Sequence, residues 1–92
     1  MISAIVMIDV DVHHIPEVAQ AVASIEHVQQ VYSVTGDVDL IAVVSADHHE
    51  DLARIIPDGI AKVGGVRNVR TYLAFQEFSR ADLDAAYDIG LD

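Results

Sequence analysis

An α+β fold of order βαββαβ is predicted by three features of this 92-residue chain. Two apolar runs rich in Val, Ile and Ala, Ile2–Val10 and Leu40–Ala46, read as strands, since such near-continuous runs suit strands of a covered sheet. Each run is followed by a stretch with apolar residues at helical spacing. The chain also repeats itself: displaced by 38 positions, Ile25, Val28 and Val31 fall on Val63, Val66 and Val69. At the same offset Ala4-Ile5-Val6 falls on Ala42-Val43-Val44, and Asp9 on Asp47, so one strand–helix–strand unit is used twice.

The elements follow in order. After the first strand, Ile15-Pro16-Glu17 starts a helix, with proline suited to the first turn, and Val18, Val22 and Ile25 form its apolar stripe. Val28–Val34 and Leu40–Val44 are the arms of a hairpin. Asp47-His48-His49-Glu50 has the spacing of a capping box, with Asp in place of Ser or Thr, ahead of Leu52, Ile55, Ile56, Ile60 and Val63 on one face. Pro57 lies inside that second helix and removes the amide that would bond to Ala53, which predicts a kink or break near Ile56. Gly64-Gly65 ends the unit, and the last strand is expected from about Val66 to Phe75 or Phe78. With right-handed crossovers this order gives the split βαβ, or ferredoxin-like, arrangement: two helices on one face of a four-stranded antiparallel sheet. Residues 1–78 make one domain and residues 79–92 a tail. There Ser79 and Asp82 have capping-box spacing, and Leu83 and Tyr87 would dock a short C-terminal helix.

The strands are apolar on both parities. Ile5 and Met7 point one way, and Ala4, Val6, Ile8 and Val10 the other. A second apolar face requires a second layer, so a homodimer packed sheet to sheet is expected. Fifteen acidic residues against five basic ones give a net charge of −10, which opposes direct nucleic-acid binding because that depends on Lys and Arg displacing counterions. No cysteine is present, so disulfides, thiol nucleophiles and sulfur-ligated metals are excluded. Met1–Val12 is too short to span a bilayer and lacks the basic start of a secretory signal, so no membrane association and a cytoplasmic location are expected.

The polar stretch between the hairpin arms, Val34-Thr35-Gly36-Asp37-Val38-Asp39-Leu40, admits two readings. In one, Gly36 supplies a positive φ and the carboxylates cap the turn. In the other, amides around Gly36 receive a ligand carboxylate while Asp37 or Asp39 pairs with its ammonium, so that a zwitterion meets both signs within a few ångströms. The same residues can serve both, and both readings stay open at this point.

From Val28-Gln-Gln-Val-Tyr-Ser-Val-Thr-Gly-Asp-Val-Asp-Leu40, Glu50-Asp-Leu-Ala-Arg-Ile-Ile56 and Gly65-Val66, the chain resembles the effector-binding (RAM) domain of the Lrp/AsnC regulators over about Ile2–Phe75. The resemblance implies a βαββαβ domain of the dimeric α/β-barrel type that assembles further, into octamers or decamers, and binds small effectors, mostly amino acids, near the loop joining the second and third strands. Carried over, that site comprises Val34, Thr35, Gly36, Asp37, Asp39 and Leu40, with Thr71 a weaker member. The chain starts at the first effector-domain strand, so it resembles a stand-alone domain without the family's helix-turn-helix, working alone or in mixed oligomers with full-length regulators.

His13-His14 and His48-His49 each follow a strand, and the repeat would place all four imidazoles on one sheet edge. Neighbouring side chains point apart, so solvated histidines are expected there rather than zinc or nickel, and His27 reads as a turn residue. No cofactor or catalytic constellation is expected. The alternatives are a purely structural oligomerisation subunit, or a small dimeric monooxygenase-like enzyme of the same fold using cleft side chains. For the latter this chain has no Trp, a single Asn in Asn68, and Tyr32 and Tyr72.

Overall fold

The computed structural model describes residues 1–80, so the anticipated tail helix with Asp82, Leu83 and Tyr87 lies outside the described residues. Four strands, β1 (Ile2–Val10), β2 (Val28–Ser33), β3 (Leu40–Ala46) and β4 (Val66–Leu73), form one antiparallel sheet of order β2-β3-β1-β4. Helices α1 (Ile15–Ala23) and α2 (His49–Ile55) connect β1 to β2 and β3 to β4, as the ferredoxin-like reading requires.

The buried parity of the central strands fills the core. Ala4, Val6, Ile8 and Val10 alternate along β1, and Leu40, Ala42, Val44 and Ala46 along β3, packed with Val18 and Val22 of α1 and Leu52 and Ile55 of α2. No polar side chain is buried among the described residues. On the other face the register sets Gln30, Val43, Ile5 and Tyr72 in one row across the sheet, and Tyr32, Ile41, Met7 and Arg70 in the next. Ile5, Tyr32 and Tyr72 are 40%, 50% and 54% exposed, so none of the described residues covers this largely apolar face.

Helix α1 begins as anticipated, with Pro16 in its first turn, where a missing amide costs nothing. A short 3₁₀ turn, Val12–His14, precedes it, capped by the Asp11 carboxylate accepting from the His13 amide at 3.1 Å. Helix α2 departs from expectation at its start. The chain stays extended through His48 (φ −132°, ψ 147°), which is the N-cap and makes no side-chain cap bond. Asp47 is therefore one residue too early for the anticipated capping box. At its end α2 stops at Ile55, one residue before the anticipated break, and the chain re-forms a 3₁₀ turn at Ile60–Lys62 that anchors the fully buried Ile60. Strand β4 ends at Leu73, before Phe75 and Phe78. One further bond, Ala74 N–H to Ser3 O at 2.8 Å, follows it.

The internal repeat is present, with one correction to its alignment. His27 (φ 77°) and Gly65 (φ 99°) both turn the chain into an edge strand through the left-handed region. Each is followed two residues later by a β-bulge, at Gln29 against β3 and at Arg67 against β1. The His27 carbonyl accepts from Ser45, and the Gly65 carbonyl accepts from Asp11. Asp11 thus corresponds to Ser45, an offset of 34, whereas His27 and Gly65 are 38 apart. The match of Asp9 to Asp47 was four residues out of step. The second unit holds four extra residues between these points, the stretch of chain that carries Pro57 and the second 3₁₀ turn. An even displacement leaves every strand residue on the same face, which is why the alternation survived the misalignment.

Candidate functional site: the β2–β3 loop

The loop between β2 and β3 is built around Asp39. Its carbonyl accepts from the Val34 amide at 3.1 Å, closing Thr35–Val38 into a compact turn. Its own amide donates to Ile8 O at 3.1 Å, and its Oδ2 accepts from the Val10 amide at 2.8 Å. Ser3 and Asp11 bond towards β4 and Ile8 towards the β3 side, so the Val10 amide faces the β3 side, where the ladder ends at the Ile8–Leu40 pair and leaves it without a strand partner. Asp39 supplies one and ties the loop to β1. Val38 (7% exposed) and Leu40 (fully buried) turn inward and hold the loop from beneath.

Thr35, Gly36 and Asp37 are left outward and exposed, and Val34 is partly exposed. Gly36 has φ 134° and open space where a side chain would start, and the amides of Thr35, Gly36 and Asp37 donate to no acceptor among the described residues. A run of N–H groups in exposed residues beside a carboxylate offers both donors for an anion and an acceptor for a cation. Thr71 is elsewhere. It pairs with Val6 near the middle of β1, exposed on edge strand β4, and β1 and β3 stand between that edge and β2. Within one chain the fold does not bring Thr71 to the loop.

The histidine pairs do not share an edge, contrary to the sequence-based expectation. Because β1 and β3 are antiparallel, with Ile2 opposite Ala46, their carboxyl ends lie at opposite ends of the sheet. His13 and His14 follow β1 at the loop's end, and His48 and His49 follow β3 at the far end. His14 Nδ1 lies 3.4 Å from the Glu17 carboxylate one turn on, both exposed. Among the described residues no group of three or more His, Asp or Glu side chains is placed to hold a metal ion. His27 is the turn residue it was read as. Tyr32 and Tyr72 lie on the outer sheet face, not between helices and sheet where a monooxygenase-like cleft would need them. Sequence reasoning missed the Val10 amide, since the point at which one strand outruns its neighbour is set by register and leaves no compositional mark. It also missed an open depression at the far end of the sheet, between the α1–β2 turn and the end of α2.

The sheet order and one-sided helices define a ferredoxin-like α+β domain. Within that class the sequence model of the Lrp/AsnC ligand binding domain matches residues 3–83, and the chain belongs to this family. Among solved structures it is similar to TTHA0845 from Thermus thermophilus, with a TM-score of 0.82 and 36% identity over 87% of this chain and 100% of that one. The transcriptional regulator NMB0573 of Neisseria meningitidis, solved as a complex with L-Met, shares the fold at a TM-score of 0.76 and 15% identity, covering 86% of this chain and 53% of that one. In sequence it is 42% identical over 53 residues to the helix-turn-helix-type regulator LrpA of Pyrococcus abyssi, 58% of this chain and 38% of that protein. The chain spans 38 to 50% of the length of this and two further Pyrococcus regulators that it matches. No helix among the described residues is long and apolar enough to cross a membrane.

Proposed function

We propose that this chain is a cytoplasmic, non-enzymatic sensor of a free amino acid, which binds at Thr35, Gly36 and Asp37 and acts on transcription through mixed oligomers with full-length regulators of its family. The reading is carried by one observation: Asp39 fastens the loop to β1, and the exposed Thr35, Gly36 and Asp37 keep three successive amides and the Asp37 carboxylate without partners among the described residues. The effector's carboxylate accepts from these amides, and its ammonium pairs with Asp37. Charge-assisted bonds of this kind are short and about twice as strong as neutral ones. Val34 lies beside them, while Val38, Asp39 and Leu40 keep the loop in shape. That NMB0573 was solved with L-Met supports an amino acid as the class of ligand. Thr71 would join the site only from another copy, which fits assembly of sheet-to-sheet dimers into octamers or decamers.

A thermal-shift screen of the twenty amino acids, followed by calorimetry, tests the proposal. A ligand at 100 times its dissociation constant adds about 2.7 kcal/mol of stability. We expect one or a few amino acids to raise the melting temperature, and Asp37→Asn to abolish that rise. If none shifts it at millimolar concentration and calorimetry agrees, the loop is a turn only.

A further inference from the structure

The stretch between α2 and the second 3₁₀ turn, Ile56-Pro57-Asp58-Gly59, holds the only step in the sequence at which Gly follows Asp or Asn. At such a step the glycine nitrogen can attack the side-chain carboxyl carbon of the residue before it, since no Cβ shields it. Three observations leave the step open here. The Asp58 side chain is 64% exposed, and its partner among the described residues is Lys62 Nζ at 3.6 Å, itself 71% exposed, a pair too weak to fix the carboxylate. The Gly59 amide donates to no acceptor among the described residues, because α2 has already ended at Ile55 and no helix bond occupies the nitrogen. Finally, the glycine is fixed by its surroundings. A Cβ at this position would run into the Ile55 carbonyl, a backbone group that cannot swing aside. The other exposed carboxylates are better guarded. Asp9, Asp11 and Asp37 precede the β-branched Val10, Val12 and Val38, and the Val10 amide is already held by Asp39.

We infer that Asp58–Gly59 is a site of spontaneous covalent modification, at which the folded chain converts aspartate to isoaspartate and thereby loosens its hold on Ile60. The Gly59 nitrogen bonds to Asp58 Cγ, the amide proton and the carboxyl hydroxyl leave together as water, and a five-membered cyclic imide forms. Water then opens the ring. Breaking the bond from nitrogen to Cγ restores aspartate. Breaking the bond from nitrogen to the main-chain carbonyl carbon leaves a free α-carboxylate and a backbone that runs through Cβ and Cγ, one carbon longer. One water is released and one is taken up, so no other reactant is needed. The lengthening falls inside a turn whose ends are fixed. The Ala61 amide donates to Ile56 O at 2.9 Å, and Ile60 between them is fully buried. The inference does not depend on the reading of the β2–β3 loop.

Incubating the folded full chain at neutral pH in water enriched in heavy oxygen tests it, with tryptic digestion afterwards in ordinary water. Cleavage after Arg54 and Lys62 releases Ile55–Lys62, while Met1–Arg54 carries Asp9, Asp11, Asp37, Asp39, Asp47 and Asp51 as internal controls. Ile55–Lys62 is expected to gain a heavy oxygen with time and to separate chromatographically into aspartyl and isoaspartyl forms, ahead of any gain in Met1–Arg54. Asp58→Glu, which would have to close a six-membered ring, should lose the second form. Asp58→Asn should reach it sooner, because ammonia leaves more readily than water does from the parent carboxylate. Both variants change an exposed side chain, and circular dichroism checks that they fold. The purified isoaspartyl chain should melt below the parent. The inference is overturned if Ile55–Lys62 stays unlabelled in the folded chain while the free peptide of that sequence labels, or if Met1–Arg54 labels first. It is equally overturned by an Asp58→Glu chain that still yields the second form, by an Asp58→Asn chain that is no faster, or by an isoaspartyl chain that melts with the parent.

Discussion

Two residues apart in one loop, Asp39 turns its carboxylate to the Val10 amide at 2.8 Å while Asp37 is exposed, and substitution should separate them. A hydrogen bond to a charged group contributes about 1.5–3 kcal/mol. Asp39→Ala should therefore lower the ligand-free stability by about that much in urea denaturation, because it also leaves the Val10 amide unpaired. Asp37→Ala should stay within about 0.5 kcal/mol of the parent, as exposed substitutions do. Equal losses would show that the two carboxylates share the structural task. The glycines separate in a similar way. Gly36 has φ 134° with open space around it, so Gly36→Ala meets backbone strain alone, about 1–3 kcal/mol. Gly65 combines φ 99° with Val18 Cγ2 at 2.7 Å. Gly65→Ala should cost about 1–3 kcal/mol more than Gly36→Ala, the usual penalty for overpacking. Denaturation midpoints of the two variants, compared directly, check the order.

At the scale of elements, the interrupted α2 shows how a locally poor sequence is kept because it places a buried side chain. Pro57 withholds an amide from the Ala53 carbonyl, and a proline inside a continuous helix costs about 3 kcal/mol. Here the helix has already ended at Ile55, and the following turns carry Ile60 into the core at 0% exposure. Pro57→Ala should consequently not recover that 3 kcal/mol. It should destabilise slightly, by about 0.4–1 kcal/mol, through greater freedom of the unfolded chain. Ile60→Ala should cost about 2–5 kcal/mol, as emptying a well-packed site does. A Pro57→Ala variant markedly more stable than the parent would mean that the break is a burden the fold merely tolerates.

The sheet presents one face with Ile5, Met7, Ile41, Val43, Tyr32 and Tyr72, and no layer above it among the described residues. If a second copy covers that face, a charge at its centre is buried in the dimer and hydrated in the monomer, and burying an unpaired charge is strongly unfavourable. Ile41→Asp should then sediment as a folded monomer while the parent sediments as a dimer or larger assembly. Ile41 is on the parity opposite the core, so the helix-covered side is untouched. A parent protein that sediments as a stable, folded monomer would remove the basis for the sheet-to-sheet dimer and for any site shared between copies.

How much was legible in the sequence differs between these scales. Alternation with period two in Ile2–Val10 and Leu40–Ala46 depends only on adjacent residues, so strand faces, core membership and the βαββαβ order were readable directly. Proline and glycine act on their own backbone, so the break after Ile55 and the turns at Gly36 and Gly65 were also local matters. What depended on register was not readable. The offset of 34 between paired strands, the antiparallel run that sends His48 and His49 to the end opposite His13 and His14, and the distance of Thr71 from the loop all follow from which residues hydrogen-bond across the sheet. The roles of Asp37 and Asp39 were decided in the same way. Both stand in VTGDVDL with equal claims as carboxylates, and only the folded β1, which brings the unpaired Val10 amide beside Asp39, assigns one to the scaffold and leaves the other facing solvent. Local propensity is written residue by residue, whereas pairing between distant segments is settled by the one arrangement that satisfies the buried backbone of both.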